Sequence, residues 1–167
     1  MLSFFKKKAA KSEEAANGKT MKAYLTGKVI PIEEVNDGVF SAKIMGDGIA
    51  IIPENEVLTA PADGEITVVM DGSFHAVGMR LDNGVEVLLH IGVDTVKLAG
   101  KGFKLLTQNG AKVKAGTPLI QFDRKVIAEA GYQDTVIMAV TNSNEYAHMK
   151  KAPDQAVKAG ETPVIEF

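Results

Sequence analysis

Val77-Gly78-Met79-Arg80-Leu81-Asp82-Asn83-Gly84-Val85-Glu86-Val87-Leu88-Leu89-His90-Ile91 is two apolar runs on either side of a polar Asp-Asn-Gly. Asn-Gly between such runs is the strongest short-range signal for a β-hairpin, because both central residues of a type I′ turn need positive φ. If Asn83 and Gly84 form a two-residue loop, Asp82 faces Val85, and His90 lies opposite Val77. His75 then stands two residues further along the partner strand, so the two imidazoles project from one face as diagonal neighbours. A three-residue loop shifts the register by one and sends them to opposite faces, unless a bulge compensates.

Outward from this hairpin the pattern repeats. Short apolar or alternating runs, broken by Gly, Asp-Gly and Asn-Gly, fall at 25–32, 39–45, 48–52, 66–70, 74–81, 85–93, 118–122, 135–140 and 163–167. Many short strands at this spacing predict an all-β protein, a compact β-sandwich or barrel. One or two short helices are expected. Residues 123–131 read as helix, with Asp123 as N-cap and Gly131 as stop, and 93–98 as a single helical turn. There is also an internal echo. Val113-Lys114-Ala115-Gly116-Thr117-Pro118 returns as Val157-Lys158-Ala159-Gly160-Glu161-Thr162-Pro163 with one inserted residue, so one β-unit is used twice.

The composition narrows the chemistry. The 167 residues, 46% of them apolar, suffice for one domain with a sizeable core. Nineteen basic against 21 acidic residues give no bulk field for nucleic acid, and none is expected as a partner. With no Cys, thiol nucleophiles, thiolate metal sites and disulfides are excluded. No apolar run reaches the roughly 20 residues of a membrane span, so a cytoplasmic location is expected. Residues 1–20 differ from the rest. Phe4-Phe5 precede Lys6-Lys7-Lys8 and a polar stretch, which reads as a flexible N-terminal tail with at most a weak membrane-surface contact, ahead of a domain over 21–167.

Only three histidines are present, His75, His90 and His148, and two of them fall in one hairpin. Paired imidazoles can bind zinc, shuttle a proton, or serve as nucleophile and helper in group transfer. Two ligands are too few for zinc, so a metal at His75 and His90 would need a third ligand from a partner or from a remote acid, and no cofactor is expected. His148 reads as a surface residue.

The segment Gly84-Val85-Glu86-Val87-Leu88-Leu89-His90-Ile91-Gly92-Val93-Asp94-Thr95-Val96 resembles the phosphorylation-site signature of the glucose-family enzyme IIA of the bacterial phosphoenolpyruvate-dependent sugar phosphotransferase system. Ser73-Phe74-His75-Ala76 resembles that family's second active-site histidine segment. Further similar blocks are Lys43-Ile44-Met45-Gly46-Asp47-Gly48, Ala60-Pro61-Ala62-Asp63-Gly64 and the closing Gly160 to Ile165, so the resemblance covers about 22–167. It implies a β-sandwich with an internally duplicated motif. It further implies that His90 accepts a phosphoryl group from phospho-HPr and passes it to a cysteine of enzyme IIB in a IIBC sugar permease. By the same resemblance His75 holds the phosphate oxygens, Ser73 orients His75, and Gly92 offers its carbonyl to His90. Asp37 and Asp94 flank the site and meet partner arginines. Many relatives carry Thr where Ser73 stands, which keeps the hydroxyl. Such a chain, lacking a span, is expected to work with separate IIB and IIC components and to dock regulated proteins according to phosphorylation state.

Two other classes fit less well. A biotinyl or lipoyl carrier shares the Ala-Pro-Ala-Asp-Gly and Val-Lys-Ala-Gly turns, but Lys22 and Lys150 lack the hairpin-tip setting of a modified lysine. A zinc peptidase on a related scaffold would need a His-x-His pair, and none occurs.

Overall fold

A computed structural model describes residues 20–167. The tail expected over 1–20 therefore lies outside the described residues except for Thr20, which already pairs with Glu166 in a strand.

Alternating apolar residues between turn-forming Gly, Asp and Asn produce fourteen short strands among the described residues. They are β1 (Thr20–Lys22), β2 (Gly27–Pro31), β3 (Asp47–Pro53), β4 (Val57–Thr59), β5 (Gly64–Val69), β6 (Ala76–Leu81), β7 (Glu86–Ile91), β8 (Phe103–Leu105), β9 (Lys112–Val113), β10 (Pro118–Phe122), β11 (Val136–Val140), β12 (Lys150–Lys151), β13 (Gln155–Val157) and β14 (Pro163–Glu166). An eight-stranded antiparallel sheet has the order β13-β2-β3-β11-β7-β6-β5-β9, and two three-stranded sheets have the orders β1-β14-β12 and β4-β10-β8. The all-β sandwich read from the sequence is the observed architecture. The main core lies between the inner face of the large sheet, with Val29, Ile51, Met79, Leu89 and Met138, and the two small sheets, with Met21, Ile165, Leu58 and Ile120. Burying such side chains contributes roughly 1.5–3 kcal/mol each, which is what holds these short strands together.

The sequence echo is the visible part of a duplication. From the centre of the large sheet outward, β11-β3-β2-β13 on one side repeats as β7-β6-β5-β9 on the other. The echoed turns use the same hydrogen bonds. Gly116 N–H donates to Ala60 O and Gly160 N–H to Ala23 O, while Lys114 N–H donates to Thr117 Oγ1 and Lys158 N–H to Thr162 Oγ1. Matching the halves by strand register puts Asp47 where His75 stands and Ala139 where His90 stands. The duplicated unit therefore provides one histidine pair rather than two.

The helix forms as expected. α1 (Arg124–Glu129) is capped by Asp123, whose carboxylate accepts from Lys125 N–H and Val126 N–H, and Gly131 at φ +85° lies just beyond its end. The turn at 93–98 is a 3₁₀ helix at Thr95–Leu98.

Residues 39–45 are not a strand. After a 3₁₀ turn at Ile32–Glu34, the Asp37 carboxylate accepts from Phe40 N–H (2.8 Å) and Ser41 N–H (3.1 Å), and Lys43 at φ +58° breaks the extended run. This Asx-type turn competes directly with strand pairing. The segment folds over the outer face of the large sheet, where Ile32, Val35 and Phe40 join Ile30, Ala50, Ile137 and Ala139 in a second apolar cluster.

Candidate active site

The hairpin closes with three loop residues, not two. Leu81 N–H donates to Val85 O, Gly84 N–H donates to Leu81 O, and Gly84 adopts φ +93°. This is a turn followed by a left-handed glycine, the usual three-residue hairpin. The register shifts by one, so His90 faces Ala76 and Val77 faces Leu89. Strict alternation would then aim His75 at the opposite face. It does not: His75 lies just before β6, at the end of a loop in which Phe74 adopts φ +51°, with Ile91 N–H still donating to the His75 carbonyl. Freed from the alternation, the His75 ring meets His90 edge to face, with centroids 4.7 Å apart and planes at 86°.

His90 stands in a row that crosses five strands on the outer face: Ile30, Ala50, Ile137, His90, Ala76. Its neighbours are thus aliphatic or small, and the Phe40 ring packs on it at 5.0 Å between centroids. His90 is half-buried, and His75 is only 5% exposed. Val39, Ile44 and Met45, in the segment that carries Phe40, and Val96, two residues after Asp94, form an apolar rim exposed to solvent.

The two rings are held through Nδ1. His90 Nδ1 lies 2.8 Å from Gly92 O. A carbonyl only accepts, so His90 carries its proton on Nδ1 and presents a lone pair at Nε2. His75 Nδ1 lies 2.9 Å from Ser73 Oγ, whose other acceptor, Met70 O, is 3.5 Å away. With the Ser73 hydroxyl donating over the shorter contact, His75 Nδ1 is the acceptor and the ring proton sits on Nε2. One imidazole thereby presents a lone pair at Nε2 and the other an N–H.

Desolvation pushes the His75 pKa down to about 4, and the neighbouring His90 adds to the shift. His90 is also held below the ordinary histidine value by desolvation, opposed by Gly92 O and by the charges of Asp37 and Asp94. Both rings are neutral at pH 7.

Of the residues read from the sequence, His90, His75, Ser73 and Gly92 meet directly. Asp37 and Asp94 act on His90 through charge, and Asp37 also organises the turn that seats Phe40. His148 is exposed, as expected. Phe40 was not anticipated, although Asp37-Gly38 before it is a turn signal that argued against a strand. Among the described residues no group of three or more His, Asp or Glu side chains is arranged to hold a metal. The pair offers two ligands, so a zinc ion there would need a third from outside this chain. No helix of the described residues is long and apolar enough to cross a membrane.

Comparison with known proteins finds relatives by sequence and by fold. The family described as "phosphoenolpyruvate-dependent sugar phosphotransferase system, EIIA 1" matches residues 19–146. A glucose-specific EIIA component of Staphylococcus epidermidis is 39% identical over 162 residues, covering 97% of each chain. Another from Bacillus cereus is 41% identical over 150 residues and 90% of each chain. In an N-acetylglucosamine-specific EIICBA component of Klebsiella pneumoniae, 36% identical over 162 residues, the similar region spans 95% of this chain and 25% of that longer one. The solved structure of glucose permease IIA from Mycoplasma capricolum has a TM-score of 0.77 at 32% identity, covering 87% of this chain and 94% of that one. By sequence and by fold, this chain belongs to the EIIA 1 family of the phosphoenolpyruvate-dependent sugar phosphotransferase system.

Proposed function

We propose that the protein is a phosphoryl carrier for sugar uptake, with His90 as the phosphoacceptor. The observation that carries this reading is the pair of Nδ1 contacts, His90 with Gly92 O and His75 with Ser73 Oγ, which gives the two rings complementary roles.

In the forward step, the His90 Nε2 lone pair attacks the phosphorus of a phosphohistidine on HPr. The new N–P bond forms as the donor N–P bond breaks, and the electron pair returns to the HPr imidazole. The His90 proton stays on Nδ1, donated to Gly92 O, and this hydrogen bond stabilises the positive charge that develops on the ring. His75 Nε2–H donates to an equatorial phosphoryl oxygen. Positioning and charge stabilisation of this kind provide most of the acceleration in phosphoryl transfer. In the second step, a cysteine thiolate of enzyme IIB attacks the same phosphorus and His90 leaves neutral. Asp37 and Asp94, beside an apolar rim, suit a partner face that combines basic and apolar groups. The aliphatic neighbours of His90 limit water access to the phosphoramidate. Similarity to glucose-specific relatives favours glucose or a related hexose as the sugar served.

The test is incubation with phosphoenolpyruvate, enzyme I and HPr, followed by intact mass. One acid-labile phosphoryl group per chain, absent from His90→Ala, is the expected result. Equal labelling of His90→Ala would refute it.

A further inference from the structure

Gly92 supplies the carbonyl that sets the His90 tautomer, and the structure shows what aims that carbonyl. The peptide plane between Ile91 and Gly92 is fixed at both ends: its carbonyl, Ile91 O, accepts from Thr95 Oγ1, and its N–H donates to Thr135 O at 2.8 Å. The following plane carries Gly92 O to His90 Nδ1, and its other end, Val93 N–H, donates to Gln133 O at 3.2 Å. Gly92 at φ +76° joins the two planes, and the Thr95 methyl fills the space beside it, where a Cβ on Gly92 would come within 2.4 Å. Thr95 itself is fully buried, so it cannot touch a docked partner or its phosphoryl group.

We infer that Thr95 is a positioning residue for phosphoryl transfer: its hydroxyl, through Ile91 O, holds the Gly92 carbonyl on His90 Nδ1 and so keeps the nucleophilic lone pair on Nε2. The inference rests on His90 being the phosphoacceptor. The chemical reason is the one that makes the groups behind metal-bound histidines matter: the partner of one ring nitrogen decides what the other can do. A Gly joint between two planes is soft, and the aim of Gly92 O depends on the bonds that hold the planes on each side. Without the Thr95 hydroxyl, Ile91 O is a buried carbonyl lacking this donor, and the plane can rotate to find another.

The test uses full-length protein with 15N-labelled histidine. In the unmodified protein and in Thr95→Ser, His90 is expected as a single Nδ1–H tautomer. In Thr95→Val, which keeps the shape and loses the hydroxyl, the spectrum is expected to show a mixture with Nε2–H. Phosphorylation by phospho-HPr is expected to slow on the order of tenfold, the lower end of the range for groups behind metal-bound histidines. Should Thr95→Val not fold, Thr95→Ala against Thr95→Ser isolates the same hydroxyl. A folded Val or Ala variant with the unmodified tautomer signature and labelling rate overturns the proposal. Because the tautomer is read in unphosphorylated protein, that failure is separate from failure of the phosphoacceptor reading, which would appear as labelling of His90→Ala.

Discussion

His75 and His90 meet edge to face at 4.7 Å although sheet register alone would place them on opposite faces; His75 stands just outside β6. The resulting pair is asymmetric in its protons. 15N spectra at pH 7 are expected to show His90 protonated at Nδ1 and His75 at Nε2. Finding both rings in the same tautomer would contradict the division into nucleophile and donor.

Ser73 fixes the His75 half of that division through one 2.9 Å contact. Ser73→Ala removes the only hydroxyl on His75 Nδ1 and frees the ring to exchange tautomers. Transfer through His90 is expected to slow about tenfold, by analogy with groups that orient a metal-bound imidazole. Ser73→Thr keeps the hydroxyl and should retain the unmodified rate in a stopped-flow or quench assay.

The buried His75 makes stability depend on pH. Its pKa is about 4 when folded against an ordinary 6.5, so between these values the unfolded chain binds a proton that the folded one refuses. Stability is then full above about pH 6.5 and falls as the pH drops toward 4, by about 3 kcal/mol from this group. His90 is shifted in the same direction and adds to the loss. Urea unfolding at pH 7 and pH 4 should show a smaller difference for His75→Asn than for the unmodified protein.

Gly92 tolerates no side chain. A Cβ there would come within 2.4 Å of Thr95 Cγ2 and 2.7 Å of Gln133 O, at a φ of +76°. Gly92→Ala is expected to cost about 2–4 kcal/mol from crowding plus the left-handed conformation. A loss below about 0.5 kcal/mol in chemical denaturation, the level of an ordinary surface change, would show that the turn is looser than its contacts indicate.

Much of this was legible in the sequence because it is local chemistry. Asp123 and Gly131 bounded the helix, the Val-Lys-Ala-Gly echo marked the duplication, and two of three histidines in one hairpin marked the site. What was not legible depended on single backbone conformations. Asp82-Asn83-Gly84 is compatible with two-residue and three-residue loops, and the choice moved the register by one. Nothing in the residue types around His75 announces that it leaves the alternation and meets His90. Residues 39–45 carry strand-forming side chains, and only the Asp37 carboxylate, by engaging the backbone at Phe40 and Ser41, makes them a cover over His90. Strands of two or three residues, such as β9 and β12, are too short for alternation to show.

The central claim is that His90 carries the phosphoryl group, and site mapping tests it most directly. The protein is phosphorylated with phosphoenolpyruvate, enzyme I and HPr, digested at neutral pH and sequenced by mass spectrometry. A single acid-labile phosphoryl group on His90, discharged by enzyme IIB, is the predicted result; phosphate on His75 or His148, or undiminished labelling of His90→Ala, would contradict it.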